Sequence, residues 1–178
     1  MANGHHRHVA PEDLKALWEA ERPYRGSCPE TPEDYCDQNH SWSVEAMLWL
    51  LEADHNVREC CGTEVPGPPI VLTATGCTTW QDAWGELHDF GDAVLSYLKE
   101  LEETVEACTG GKIRRARPVP KRRRLPSDEG RHRRVACRRA RNYTRRFKKW
   151  GQQLTDVFND HCHDAHPTHL SPPPDPPF

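Results

Sequence analysis

The stretch Val135-Ala-Cys-Arg-Arg-Ala-Arg-Asn-Tyr-Thr-Arg-Arg-Phe-Lys-Lys-Trp150 decides how this chain is read. At about 100° per residue, Ala136, Ala140, Tyr143, Phe147, Trp150, Leu154 and Val157 line up on one helical stripe. Arg134, Arg138, Arg141, Arg145, Lys148 and Lys149 fall on the opposite face, with Arg139 and Arg146 at its borders. The segment therefore reads as a helix, apolar on one side and cationic on the other. Ser127-Asp-Glu supplies its N-terminus, and it runs to about Asn159 with a weak point at Gly151. An apolar face of this kind needs cover. Tyr143, Phe147, Trp150 and Leu154 either dock on the rest of the chain or pair with a second copy as a short coiled coil.

Upstream, the pattern is also helical. Pro11 with Glu12 and Asp13 starts a first helix carrying Leu14, Leu17 and Trp18 and ending at Pro23. Residues 22–40 read as irregular. Ser41 or Ser43 caps a second helix to about Asn56, apolar on nearly every side and hence central. Thr78 or Thr79 opens a third, in which Trp80, Trp84, Leu87, Val94, Leu98, Leu101 and Val105 recur at three- and four-residue steps until Thr109-Gly-Gly111. The fold class is mostly α. A His-rich, disordered N-terminus (1–7) precedes an acidic three-helix module (8–110). A basic, proline-punctuated linker (111–126) leads to the arginine-rich amphipathic helix (127–160), and a His- and Pro-rich tail (161–178) follows, disordered or in polyproline II from Pro167 onward.

The net charge of −3 conceals a strong partition. Residues 1–111 hold 21 acidic and 6 basic side chains, residues 112–149 hold 2 and 18, and residues 150–178 hold 4 acids without a Lys or Arg. Such a block of cations faces a polyanion or an acidic partner. Arginine forms bidentate pairs with phosphate and stacks on bases, so its dominance favours nucleic acid. Arg134, Arg138, Arg139, Arg141, Arg145, Arg146, Lys148 and Lys149 are the expected contacts. In composition the stretch resembles the arginine-rich motifs of retroviral Rev-type RNA-binding regulators. It resembles more loosely the basic region of a zipper protein, although its apolar seam lasts barely two heptads. RNA is slightly favoured over DNA.

Pro120-Lys-Arg-Arg-Arg-Leu-Pro126 resembles a monopartite nuclear localisation signal. With Lys112, Arg114, Arg115 and Arg117 ahead of Lys121, Arg122, Arg123 and Arg124 it becomes bipartite, a ligand for a nuclear import receptor. Phe90, Val94, Leu98 and Leu101 have the spacing of a leucine-rich export signal as well as of a core face. The start has no apolar leader, and the longest apolar run, Ala46–Leu51, falls well short of the roughly 20 residues that cross a bilayer. No membrane role is expected. The expected location is the nucleus, nucleolar or shuttling.

In that setting the eight cysteines stay reduced. Cys28, Cys36, His40, Cys60 and Cys61 then offer a possible zinc set, although no Cys-x2-Cys pair supports it. No cofactor is required. His161, His163, His166 and His169, and His5, His6 and His8, form two short histidine tracts. Ser171-Pro172 and the surrounding prolines fit a proline-directed kinase or a proline-reading domain. No Gly-rich phosphate loop, Gly-x-Ser-x-Gly or His-Glu-x-x-His is present, so an enzyme is not expected. The sequence thus reads as a small nuclear regulator of viral type, binding RNA or DNA through its basic helix and protein partners through its acidic module, possible as a homodimer. The alternative is an adaptor whose basic helix binds an acidic protein or its own acidic module.

Overall fold

The structure is a computed structural model, and it describes residues 7–8, 27–62, 64–114, 124–162 and 169–178. Among them are β1 (Arg7–His8), α1 (Pro32–Cys61), β2 (Val71–Leu72), α2 (Trp80–Thr109) and α3 (Glu129–Cys162). The protein is mostly helical. The two short strands make one antiparallel rung, with Arg7 opposite Leu72. The helix expected at 11–22 lies outside the described residues, as do residues 1–6 of the expected disordered start and the core of the import signal; Arg7, the last residue of that start, is in β1.

Local sequence explains each helix end. Thr31 caps α1 by accepting the Asp34 N–H at 3.1 Å, with Pro32 in the first turn and Glu33 and Asp34 beside the helix dipole. The helix therefore starts nine residues before Ser41, and the irregular stretch expected at 22–40 is helical from Pro32 onward. Gly62, at φ 62°, closes it by donating to Arg58 O. Thr79, not Thr78, caps α2 through the Asp82 N–H, and Gly110 at φ 73° ends it. Asp128 accepts the Gly130 N–H at the start of α3. Gly151 causes no break, because the helix continues to Cys162.

The three helices run parallel. Their N-terminal ends meet around Tyr35, whose hydroxyl donates to Ala136 O at 3.2 Å and whose ring packs edge-on against Trp80. Their C-terminal ends meet at Cys60, Cys61, Cys108 and Cys162. Each of the 30-residue helices α1 and α2 is about 45 Å long, so the chain must travel back after each one. Among the described residues, the stretches between the helices are extended. The first return buries Val65 and Leu72 and brings Thr73 O to His40 Nδ1 at 2.6 Å. The second is anchored at both ends by buried Ile113 and Leu125.

The tail makes the third return. Leu170, Pro173 and Pro177 are buried, Trp49 Nε1 donates to Ser171 O at 2.8 Å, and Phe178 ends against the Tyr35 ring. The disordered tail expected from the proline content is therefore corrected for residues 169–178. Prolines that cannot join a helix suit an extended strap across a groove.

The separate acidic module is corrected too. Trp42, Trp49, Phe90 and Phe147 form one edge-to-face aromatic centre shared by all three helices. Tyr143, Phe147, Trp150 and Leu154 lie in this same core, each 4% exposed or less. The partner of the arginine-rich helix's apolar face is its own bundle. Phe90, Val94, Leu98 and Leu101 are also core residues, buried too deeply to be presented to an export receptor.

The cysteines overturn the expected reduced state. All eight are paired, as Cys28–Cys137, Cys36–Cys77, Cys60–Cys162 and Cys61–Cys108. Partners lie between 41 and 109 residues apart in sequence. Local spacing carried no trace of this, because the bundle itself brings the partners together.

Candidate polyanion-binding face

One edge of α3 remains in solvent once its apolar stripe is buried. Steps of three and four residues place Arg131, Arg134, Arg138, Arg141, Arg145 and Lys149 along it. From Arg131 to Lys149 this edge is about 27 Å long at the helical rise. Arg131, Arg134, Arg138, Arg145 and Lys149 are exposed and Arg141 is half-buried. Among the described residues, none of the six forms an ion pair or a side-chain hydrogen bond. Five of them are arginines, whose planar forks suit oxyanions such as phosphate. Arg131 was not among the residues expected from sequence. Its place one turn before Arg134 is the signal that would have found it.

The other cations of α3 have structural work. Arg133 donates through Nε to Pro29 O at 2.6 Å and through Nη2 to Cys28 O at 2.8 Å, and pairs with Glu30 at 2.8 Å. It binds the approach to α1 beside the Cys28–Cys137 bridge. Arg139 donates to Arg124 O at 2.9 Å, and its guanidinium carbon lies 5.6 Å from the centroid of the Trp84 ring. Lys148 pairs with Asp175 of the tail. Arg146 is half-buried beside Tyr143. Of the eight expected contacts, Arg134, Arg138, Arg141, Arg145 and Lys149 share the open edge. Arg139 and Lys148 are engaged within the fold, and Arg146 lies at the edge of the core.

Behind this face the helix is fixed. The Tyr143 hydroxyl donates to Asp92 Oδ1 at 2.9 Å, and Asp92 Oδ2 lies 3.1 Å from His88 Nδ1. Burial first, and then the Asp92 carboxylate, push the Tyr143 phenol above its ordinary range and keep it neutral. The bridges Cys28–Cys137 and Cys60–Cys162 tie α3 to the α1 side about two turns into the helix and at its last residue. The cationic edge is therefore pre-organised and need not order itself on contact with a ligand.

The basic linker is described only at its margins. Lys112, Arg114 and Arg124 are exposed, whereas Arg115, Arg117, Lys121, Arg122 and Arg123 lie outside the described residues.

The expected zinc set does not come together. Cys36 and Cys60 are 24 residues apart on one helix, roughly 36 Å, and Cys28, Cys36, Cys60 and Cys61 are all in disulfides. A different four, Cys60, Cys61, Cys108 and Cys162, have their sulfurs within 4.8 Å of one another. Paired as two disulfides, they hold no thiolate to give a metal. Of the histidine tracts, His161 and His169 are exposed, while His163, His166 and the N-terminal histidine side chains are not among those described.

The structure thus defines a class: a bundle of parallel helices cross-linked by four disulfides, with extended chain in the described stretches between them. No protein-family model, curated protein or solved structure matches the chain. Among the described residues, no helix is long and apolar enough to cross a membrane.

Proposed function

We propose that this protein is a non-catalytic regulator of an oxidising compartment that holds a linear polyanion, foremost a sulfated polysaccharide, along the outer edge of α3. The observation that carries this reading is the row of six solvent-facing cations, fixed on a helix that is disulfide-tied at Cys137 and at its last residue, Cys162. A rigid row of like charges is electrostatically costly unless an anionic ligand neutralises it. The compartment follows from the cysteines: four disulfides persist outside the cell or in the secretory pathway and are rare in reducing compartments.

Affinity chromatography on immobilised heparin tests the proposal. The intact protein is expected to stay bound at physiological salt and to elute well above it. The double variant Arg138→Glu, Arg145→Glu is expected to elute early, with unchanged helicity. Flow-through of the intact protein at physiological salt would refute the reading.

A second reading keeps the nuclear location. It rests on the proline-flanked string Pro120–Pro126 with the exposed Lys112, Arg114 and Arg124 around it. There the same edge binds RNA or DNA, and the acidic surfaces meet protein partners. If all six cations touch phosphate, log K falls against log salt with a slope of about −5 on B-DNA, and less steeply on single strands. The two readings separate on thiol content: protein taken from nuclei with free cysteines favours the second.

A further inference from the structure

Two stretches of the sequence fit the Asn-X-Ser/Thr pattern that oligosaccharyltransferase reads, Asn39-His-Ser41 and Asn142-Tyr-Thr144. The fold separates them. Asn39 is 1% exposed inside α1, and its Nδ2 donates to Tyr35 O at 2.8 Å. A glycan there would displace the bundle's first layer. Asn142 is exposed, and none of its side-chain atoms makes a hydrogen bond among the described residues. Its carrier helix belongs to a protein in which every cysteine is in a disulfide, the chemistry of the compartment where N-glycans are attached.

We infer that Asn142 is an N-glycosylation site whose glycan sits on the cationic edge of α3 and limits access to it. In the transfer, the Asn142 amide nitrogen bonds to the anomeric carbon of a lipid-diphosphate-linked oligosaccharide. The bond from that carbon to phosphate breaks, the lipid diphosphate leaves, and the amide proton passes to a base of the transferase. Thr144 is fully buried in the finished fold, its hydroxyl donating to Ala140 O at 2.8 Å. The transferase must therefore act before α3 docks, and the attached glycan then emerges on the solvent side of the helix.

The position gives the modification a consequence. On the helix surface the neighbours of Asn142 three and four residues away are Arg138, Arg139, Arg145 and Arg146. A branched, hydrophilic glycan anchored among them stands between the arginines and a long polyanion. This second part rests on the polyanion-binding reading proposed above, whereas attachment itself does not.

The experiment is secretion of the full chain from mammalian cells behind a cleavable leader, followed by intact mass and peptide mapping. The expected result is one glycan. It is released by peptide N-glycosidase to leave aspartate at 142, is lost in Asn142→Gln, and is retained in Asn39→Gln. An unmodified Asn142 in secreted, fully disulfide-bonded protein would overturn the site. Glycosylated, enzymatically released and Asn142→Gln proteins are then compared on heparin, where the glycosylated form is expected to elute at the lowest salt. Identical elution of the three forms, with retention intact, overturns the gating role alone. Loss of retention in all three removes both the gating role and the polyanion reading, while leaving the glycan in place.

Discussion

The ring of Tyr143 on α3 lies directly over Gly91 of α2, in the space a Cβ at position 91 would fill. Gly91 is buried mid-helix, where glycine ordinarily costs a helix about 1 kcal/mol relative to alanine. Here the missing side chain lets the two helices approach and sets Tyr143 against Asp92 and His88. Gly91→Ala is therefore expected to destabilise the protein by about 1–3 kcal/mol, as overpacking does, despite its gain in helix propensity. Urea denaturation with the disulfides intact measures this. A variant as stable as the parent would show that Tyr143 can move aside freely.

The disulfides make a sharp chemical prediction. Thiol titration of the denatured, unreduced protein should find no free cysteine, and peptide mapping should recover the four pairings. Replacing Cys28 and Cys137 together by alanine removes a link between residues 109 apart. Loss of a native disulfide typically costs about 2–5 kcal/mol, so the thermal midpoint should fall clearly. Recovery of Cys28 joined to Cys162 would contradict the parallel arrangement, because Cys28 lies at the N-terminal side of the bundle and Cys162 at the C-terminal end of α3.

The proline-rich strap is expected to contribute stability. Ending the chain at residue 168 removes the cover over Trp49, Gly151 and Tyr35 and frees Lys148 from Asp175. Loss of buried Leu170 and the Phe178 contact should cost about 3 kcal/mol, given ~1.5–3 kcal/mol for a well-buried large apolar side chain. Tryptophan emission should move to longer wavelength. Truncation with unchanged emission and stability would mean that the strap does not occupy its groove in solution.

Alkaline pH should unfold the protein through its tyrosines. Burial first, with help from Asp54 at Tyr97 and Asp92 at Tyr143, pushes the phenols of Tyr35, Tyr97 and Tyr143 far above their ordinary value. Below about pH 10 both folded and unfolded chains keep these protons, and the groups add no pH dependence. Above it the unfolded chain ionises while the native chain does not, so stability falls as pH rises. Tyrosinate absorbance should show at most one of the four tyrosines titrating near pH 10, the others appearing only as helicity is lost. Four phenols ionising together in a chain that keeps its helicity would contradict the buried placements.

Much of this molecule was legible in its residue pattern. The seven-residue apolar stripe of α3, the core face of α2 and the stop at Gly110 follow from helical periodicity and glycine's left-handed conformation, which act within a few residues, whereas α1 runs past the end expected at about Asn56 to Cys61. The cationic edge followed from the same periodicity, because residues that face away from a buried stripe must face solvent. The start of α1 was missed although Thr31-Pro-Glu-Asp34 carries a complete helix-start signal, because the proline-spaced stretch before it reads as loop.

The sequence by itself thus determined that the chain is helical and that one helix carries cations opposite aromatics. Only the tertiary structure decided what covers those aromatics, where the prolines of the tail lie and which cysteines meet. It also divided the arginines, leaving Arg138 and Arg145 open to a ligand while Arg133 and Arg139 hold the chain's own carbonyls. The physical reason is range. Helix propensity and amphipathic period are set by neighbours three or four residues away, whereas a disulfide such as Cys28–Cys137 joins residues that only the parallel packing of α1 and α3 brings within 5.9 Å between Cα atoms.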